Sequence, residues 1–109
     1  MADVLEGVVG TLTTSNADLL DAVAASTTET VIGMSFSNVN SSGQDVAIDI
    51  EIVKSGGSTT PHLLNDVTVP AGTTLVWETK IVLTTGDKIQ GLCSAASSID
   101  FTINYLKQT

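Results

Sequence analysis

His62 and Cys93 are the only side chains of their kinds in this 109-residue sequence, and together they are its nearest approach to a nucleophile with a base. An imidazole activates a thiol by taking its proton, yet no signature surrounds either residue. His62 follows Pro61 at the end of a Gly-, Ser- and Thr-rich stretch, while Cys93 stands among Leu92, Ala95 and Ala96, the setting of a small apolar core residue. A single cysteine also excludes an internal disulfide and every two-cysteine metal motif. Asp45, Asp49 and Glu51 fall on one face of an alternating stretch, and such carboxylates either face water, bind calcium or serve glycoside hydrolysis. A glycosidase needs an aromatic-lined cleft, and the chain holds only Phe36, Trp77, Phe101 and Tyr105. The solvated face is the first reading and calcium the second. No catalytic residue, metal ligand or cofactor follows from these residues, and an enzyme is the least supported class.

Strands must position these side chains. In the last stretch Ile99, Phe101, Ile103 and Tyr105 alternate with Asp100, Thr102 and Asn104, which gives one apolar and one wet face. Val46, Ile48, Ile50 and Ile52 do the same against Asp45, Ala47, Asp49, Glu51 and Val53, and Ile32, Met34 and Phe36 against Gly33, Ser35 and Ser37. Turn chemistry separates the runs. Pro70-Ala71-Gly72 follows Val67-Thr68-Val69 and precedes Leu75-Val76-Trp77, a hairpin signal with proline second and glycine fourth in a type I turn. Gly86-Asp87 marks a second tight turn between Ile81-Val82-Leu83 and Ile89 to Cys93. Asn38 to Gly43 is a polar loop that joins its flanking strands as a third hairpin, and Ser55 to Pro61 is an exposed tip too polar to pack. Ser15 to Ala25 reads two ways: Ser15 and Asp18 resemble a helix cap, and Leu19 to Val23 reads equally as a strand.

The count is seven or eight strands and no firm helix, within one domain over residues 1–109. This pattern fits an all-β, antiparallel two-sheet sandwich of jelly-roll or immunoglobulin-like type. Residues 1–14 form an N-terminal strand or arm, because Val4, Leu5, Val8, Val9 and Leu12 are interspersed with Gly7 and Gly10. An apolar arm either extends its own sheet or pairs with a neighbouring subunit.

Charge narrows the partners. The net charge is −8, with Lys54, Lys80, Lys88 and Lys107 as the only cations and no arginine. Such a surface repels phosphate backbones and anionic lipid, so nucleic acid and membrane are not expected partners. Apolar runs are far shorter than the roughly 20 residues of a membrane span. The acidic start Met1-Ala2-Asp3, with no basic residue before Lys54, predicts a chain made and folded in a cytoplasm. Trp77 shares a face with Leu75 and is expected in the core, with an exposed interface anchor as the alternative. Leu106 is out of phase with Tyr105 and points outward. Leu92 is out of phase with Ile89 unless a bulge lies near Gly91. Val4, Leu5, Val8, Val9, Trp77, Leu92 and Leu106 are therefore the candidate protein-interface residues.

Three segments carry a resemblance: Val67-Thr68-Val69-Pro70-Ala71-Gly72-Thr73-Thr74-Leu75, Lys80 to Ile89 with its closing Gly86-Asp87, and Cys93 to Leu106 with its small-residue turn before the final alternating strand. They resemble small virion structural proteins of tailed bacteriophages, especially phages of aquatic bacteria. Leu19 to Thr30 extends the likeness weakly upstream and favours the strand for that segment. The resemblance implies a β-sandwich that assembles on a particle and performs no reaction. It implies a capsid decoration (cement) protein on the head exterior, a homo-oligomer and most simply a trimer, whose partner is the major capsid protein. A tail or baseplate accessory bound to a tail protein is the alternative. A carbohydrate- or cell-surface-binding module using the loops Asn38 to Gly43 and Ser55 to Pro61 is the reading from another class.

Overall fold

Ile99, Phe101, Ile103 and Tyr105 all turn into the protein, as alternation requires, and the strand that carries them, β9 (Ile99–Gln108), is the spine of one sheet. The computed structural model describes residues 2–57 and 59–109. It contains nine strands and, among the described residues, no α-helix. Besides β9 they are β1 (Asp3–Thr11), β2 (Ala17–Leu20), β3 (Thr28–Asn38), β4 (Val46–Val53), β5 (His62–Val69), β6 (Thr74–Trp77), β7 (Ile81–Leu83) and β8 (Lys88–Cys93). One sheet runs β1-β9-β3-β6, with β7 also on β3, and the other runs β2-β8-β4-β5. Every pairing is antiparallel. Successive strands alternate between the sheets along most of the chain, which is the winding of a jelly roll.

That winding corrects three expected hairpins. The turn at Pro70 closes with Thr73 N donating to Pro70 O at 3.1 Å. Gly72 sits third in it at φ +72°, as in a type II turn, so the proline is first rather than second. Its strands do not pair: β5 lies beside β4, and β6 beside β3 in the other sheet. Likewise Asp87 N donates to Thr84 O at 2.9 Å, but β7 and β8 belong to different sheets. Asn38 to Gly43 also changes sheet, between β3 and β4. Among the described residues the one consecutive pair that adjoins is β4 and β5, in the β2-β8-β4-β5 sheet, joined past the Ser55–Gly57 turn; Ser58, within the expected tip, lies outside the described residues, as does Met1.

Residues Ala17 to Leu20 form a strand, not a helix. The N-terminal segment takes the first of its two expected fates, pairing with β9 in unbroken register from Asp3↔Gln108 to Thr11↔Asp100. Ile32 breaks its expected alternation. A bulge between Val31 and Gly33 turns Val31 into the core and Ile32 outward, because the extra residue reverses the phase of everything before it. No bulge interrupts β8 against β4, so Gly91 faces in and Leu92 faces out. No helix of the described residues is long and apolar enough to cross a membrane.

The core fills the gap between the sheets with Phe36, Ile48, Ile50, Leu83, Ile89, Ile99 and Ile103, all fully buried. At one end it includes an acid. Glu29 is 7% exposed, and its Oε1 has no hydrogen-bond partner among the described residues. Burial pushes this carboxyl above its ordinary 4.5; Lys107 opposes the shift, and Glu6 and Asp21 add to it. A carboxyl raised on folding contributes most below its unfolded value and costs stability as pH rises through the folded one. Glu29→Gln is therefore expected to gain on the order of 1 kcal/mol at neutral pH, and little at pH 4. Thermal unfolding of both proteins at the two pH values measures it; equal gains at both would contradict the assignment.

Candidate functional site

The thiol and the imidazole do not meet. Cys93 is buried on the inner side of its sheet, where its Sγ contacts the carbonyls of Thr13 and Ala95 at 3.6 and 3.0 Å. Burial raises its pKa, which makes it a poor nucleophile. His62 opens β5 instead of ending a loop, and it lies on the outer side, with Nε2 3.8 Å from Glu51 Oε2.

The carboxylates are also occupied. Asp45 Oδ1 accepts from Ala71 N at 3.0 Å, Asp49 Oδ1 from Asp66 N at 2.6 Å, and Glu51 Oε1 from Asn16 Nδ2 at 2.7 Å. Among the described residues no group of three His, Cys, Asp or Glu side chains is placed to hold a metal ion. Around these acids the outer face of the β2-β8-β4-β5 sheet is a polar lattice. Gln90 donates to Asp18 at 2.7 Å, Lys88 Nζ lies 3.1 Å from the same carboxylate, and Asn16 also reaches Gln90 at 3.2 Å. The hydrogen bond from Gln90 and that from Lys88 lower the Asp18 pKa. Leu92 sits half-buried in this lattice, in a small hollow with Asn16, Asp49, Glu51, His62 and Asn65.

In the loop Asn38 to Gly43, one of the two loops of the carbohydrate-binding alternative, the side-chain amides are consumed locally. Asn38 Nδ2 donates to Gln44 O and Val69 O, and Asn40 Oδ1 accepts from Ser42 N and Gln44 N. They fix the crossing between sheets.

The outer face of the β1-β9-β3-β6 sheet is different in kind. Its residues stand in rows across the strands, set by register: Val9, Thr102, Ser35 and Val76; then Gly7, Asn104 and Gly33; then Leu5, Leu106, Thr30 and Val82. None of these side chains is charged. Charge enters at the ends of the sheet, at Asp100, which accepts from Thr11 Oγ1 at 2.9 Å, and at Asp3 opposite Gln108, and also beside the middle row at Glu78, which shares a hollow with Gly33, Ser35, Val76 and Asn104. Leu5, Val9, Val76 and Val82 are each more than half exposed. The middle row forms a trough, because Gly7 and Gly33 have no side chain, and Glu78 lines its β6 end. Its β1 end is a hollow of about 350 Å³ lined by Leu5, Glu6, Gly7, Ile32 and Asn104. Glu6, at the rim, accepts the Tyr105 hydroxyl at 2.7 Å; burial and this carboxylate push the Tyr105 pKa up.

Of the candidate interface residues, the structure gathers Leu5, Val9 and Leu106 on this face. Leu92 lies on the opposite sheet. Val8 and Trp77 pack half-buried against the core, and the indole Nε1 donates to Thr79 O at 2.9 Å. Val4 is exposed on the inner-phase side of β1, opposite Lys107. Ile32, Val76 and Val82 belong to the face and were not among the expected residues. Two of them had a signal: in Leu75-Val76-Trp77 and Ile81-Val82-Leu83 all three residues are apolar, so a strand must turn the middle one outward.

No family model matches the chain, and no curated protein matches it. Solved structures do share its fold. A protein of the disulfide-linked pili that form Bacillus endospore appendages superposes with TM-score 0.52 at 16% identity, over 99% of this chain and 87% of that one. A chain of the capsid of Helicobacter pylori bacteriophage KHP30 does so with TM-score 0.54 at 10% identity, over 98% and 87%. The subviral particle of infectious bursal disease virus gives TM-score 0.57 at 12% identity over 96% of this chain, but only 32% of that one. The sandwich seen here is thus similar to folds found in two viral capsids and a pilus.

Proposed function

We propose that this protein is a structural component of a phage virion, most simply a decoration protein that binds the outside of the head and stabilises the shell. The observation that carries this reading is the outer face of one sheet, where Leu5, Val9, Val76 and Val82 stand exposed on an acidic chain, since exposed apolar area of this kind marks a protein contact. The fold neighbours support it: a phage capsid contains a chain whose length is nearly that of this one, as the mutual coverage requires. Stabilisation comes from repetition. Each copy adds a modest interface, and lattice symmetry multiplies it. The resemblance implies that the copies associate as trimers.

A pilus subunit of the disulfide-linked kind is a poorer fit, because the single cysteine is buried. The tail-accessory reading differs from the head reading in copy number. Mixing the purified protein with shells that lack it, then sedimenting them, is expected to show saturable binding at hundreds of copies per particle. Binding to tails alone at a dozen or so copies would move the protein to the tail, and binding to neither would end the virion reading.

A further inference from the structure

Resting on the reading of the protein as a component of an assembly, we propose that the free edge of β1 pairs with β1 of a second copy of this chain, antiparallel about a two-fold axis at Gly7, so that the β1-β9-β3-β6 sheets of two copies join into one. Three observations carry this: the state of the edge, the direction of its hydrogen-bonding groups, and the sequence of the strand.

β1 is an edge strand, and proteins normally blunt such edges because their unpaired groups invite another strand. The other edges here are blunted. β2 and β6 have four residues each and β7 has three. β5 meets β4 with two register shifts, and Asp66 within it has φ +53°. β1 has nine residues in unbroken register, without proline, lysine or bulge, and its Leu5 and Val9 are 71% and 77% exposed. Of its two acids, Asp3 stands at the end of the strand and Glu6 is held by the Tyr105 hydroxyl.

The ladder decides which groups face outward. It runs past both ends of β1, where Thr109 N donates to Ala2 O at 3.0 Å and Leu12 N to Ile99 O at 2.8 Å. Both bonds continue the register that joins β1 to β9, and in an antiparallel ladder bonded pairs alternate with unbonded ones. The even-numbered residues of β1 therefore bond to β9. The N–H and C=O groups of Asp3, Leu5, Gly7, Val9 and Thr11 point away from it and have no partner among the described residues.

The sequence is self-complementary in that phase. With Gly7 on the axis, Asp3 lies opposite Thr11, Leu5 opposite Val9, and Gly7 opposite itself. Every outward group then meets a counterpart, with two bonds per pair and roughly ten in all. Between these pairs Glu6 lies opposite Val8, and Val4 opposite Gly10. No acid faces an acid, which matters for a chain of net charge −8, because like charges directly opposite destabilise a ladder. An axis at Glu6 keeps the phase but sets Glu6 against itself, and one at Val8 leaves Asp3 and Val4 beyond the paired strand. A foreign strand would find the same main-chain groups, but a register that matches the whole of β1 to itself without opposed charge is a property of this sequence. Two-fold pairing makes the unit a dimer, not the trimer the resemblance implies.

The test uses the purified full chain, without shells. The wild type is expected to dimerise in sedimentation across a concentration series. Val9→Pro removes an outward N–H and spares the ladder to β9, since an edge strand tolerates proline where its nitrogen faces solvent. It is expected to raise the dissociation constant at least about tenfold, while a cooperative thermal transition shows that it folds. Val9→Ala keeps the N–H and is expected to lose much less. Cysteines read the register. Gly7→Cys sets two thiols on the axis with Cα atoms about 5.5 Å apart, within the span of a disulfide, and its Cβ displaces only the movable Asn104 Oδ1, 3.0 Å away. Thr11→Cys sets them about 27 Å apart. Under mild oxidation the first is expected to form a covalent dimer and the second is not, with the native Cys93 buried in both. This pair carries the test should Val9→Pro fail to fold. A wild type that stays monomeric at about 100 μM, equal weakening by Val9→Ala and Val9→Pro, or crosslinking of Thr11→Cys as readily as Gly7→Cys would each overturn the proposal. Co-sedimentation with shells separates this outcome from the virion reading: a Val9→Pro monomer that still binds shells leaves that reading standing, and a wild-type dimer that binds neither shells nor tails ends it without touching the pairing.

Discussion

Asp87→Ala is expected to destabilise the protein by about 3–5 kcal/mol, the loss typical when one partner of a buried charged network is removed, and to lower the melting temperature by on the order of 15–20 °C. The side chain is 1% exposed and joins three parts of the fold. It accepts from Thr84 N at 3.0 Å and Thr84 Oγ1 at 3.2 Å after β7, and from Ser55 N at 2.9 Å and Lys54 Nζ at 2.7 Å after β4. Its own carbonyl accepts from Val23 N at 3.0 Å. Lys54 is 43% exposed, so that ion pair alone is worth little; the larger loss comes from the part-buried hydrogen bonds of Ser55 N and Thr84 N, which leave two loops untied. Burial by itself would push the carboxyl up, but Lys54 and the hydrogen bonds from Thr84 and Ser55 outweigh it and hold the pKa down at about 2, against 3.8 ordinarily. The sign follows. A carboxyl lowered on folding contributes fully above its unfolded value and loses that contribution as pH falls through the folded one. The gap between wild type and Asp87→Ala should therefore be full at pH 7 and shrink by about 2 kcal/mol as pH drops from 3.8 toward 2. Urea unfolding at pH 7 and pH 2.5 measures both; a gap that does not change would show that the charge contributes nothing.

Phe36→Ala should cost about 3–5 kcal/mol through the lost transfer energy and the cavity left behind. The ring is fully buried at the centre of an inner row set by register: Gly10, Phe101, Phe36 and Leu75. Phe101 leans over Gly10, which has no side chain to stop it. The row is filled from both sides and cannot collapse into the space that the lost ring leaves. Phe36→Leu, which keeps most of the volume, should lose less than half as much. Chemical denaturation of the two variants checks this, and a cost under about 1 kcal/mol for alanine would mean that the two sheets do not close over this position.

What could be read in the sequence was whatever the nearest neighbours decide. Alternation placed Val46, Ile48, Ile50 and Ile52 inside, and it sent Leu106 and Leu92 outward. It failed at Ile32, because a bulge adds a residue between Val31 and Gly33, and Gly33, a glycine inside a strand, is its one local mark. Turn chemistry located the reversals at Pro70, Gly86 and Asn38 to Gly43. A turn fixes where the chain bends, however, and not which strand it joins: at all three the next strand crosses to the opposite sheet, a choice made by burial of the whole core. The same limit governed the candidate face. Leu5, Val9 and Leu106 were visible one at a time, but their alignment with Val76 and Val82 depends on β1, β9, β3, β6 and β7 lying side by side, and these come from both ends of the chain.

Because β1 pairs with β9, its strand partner is made only after every strand between them. Leu5, Val8 and Val9 therefore wait unprotected on the ribosome until β9 has emerged. A topology dominated by such distant pairings folds in milliseconds to seconds, not microseconds, and the nascent chain is most vulnerable to sticking to its neighbours on the same messenger RNA during that wait.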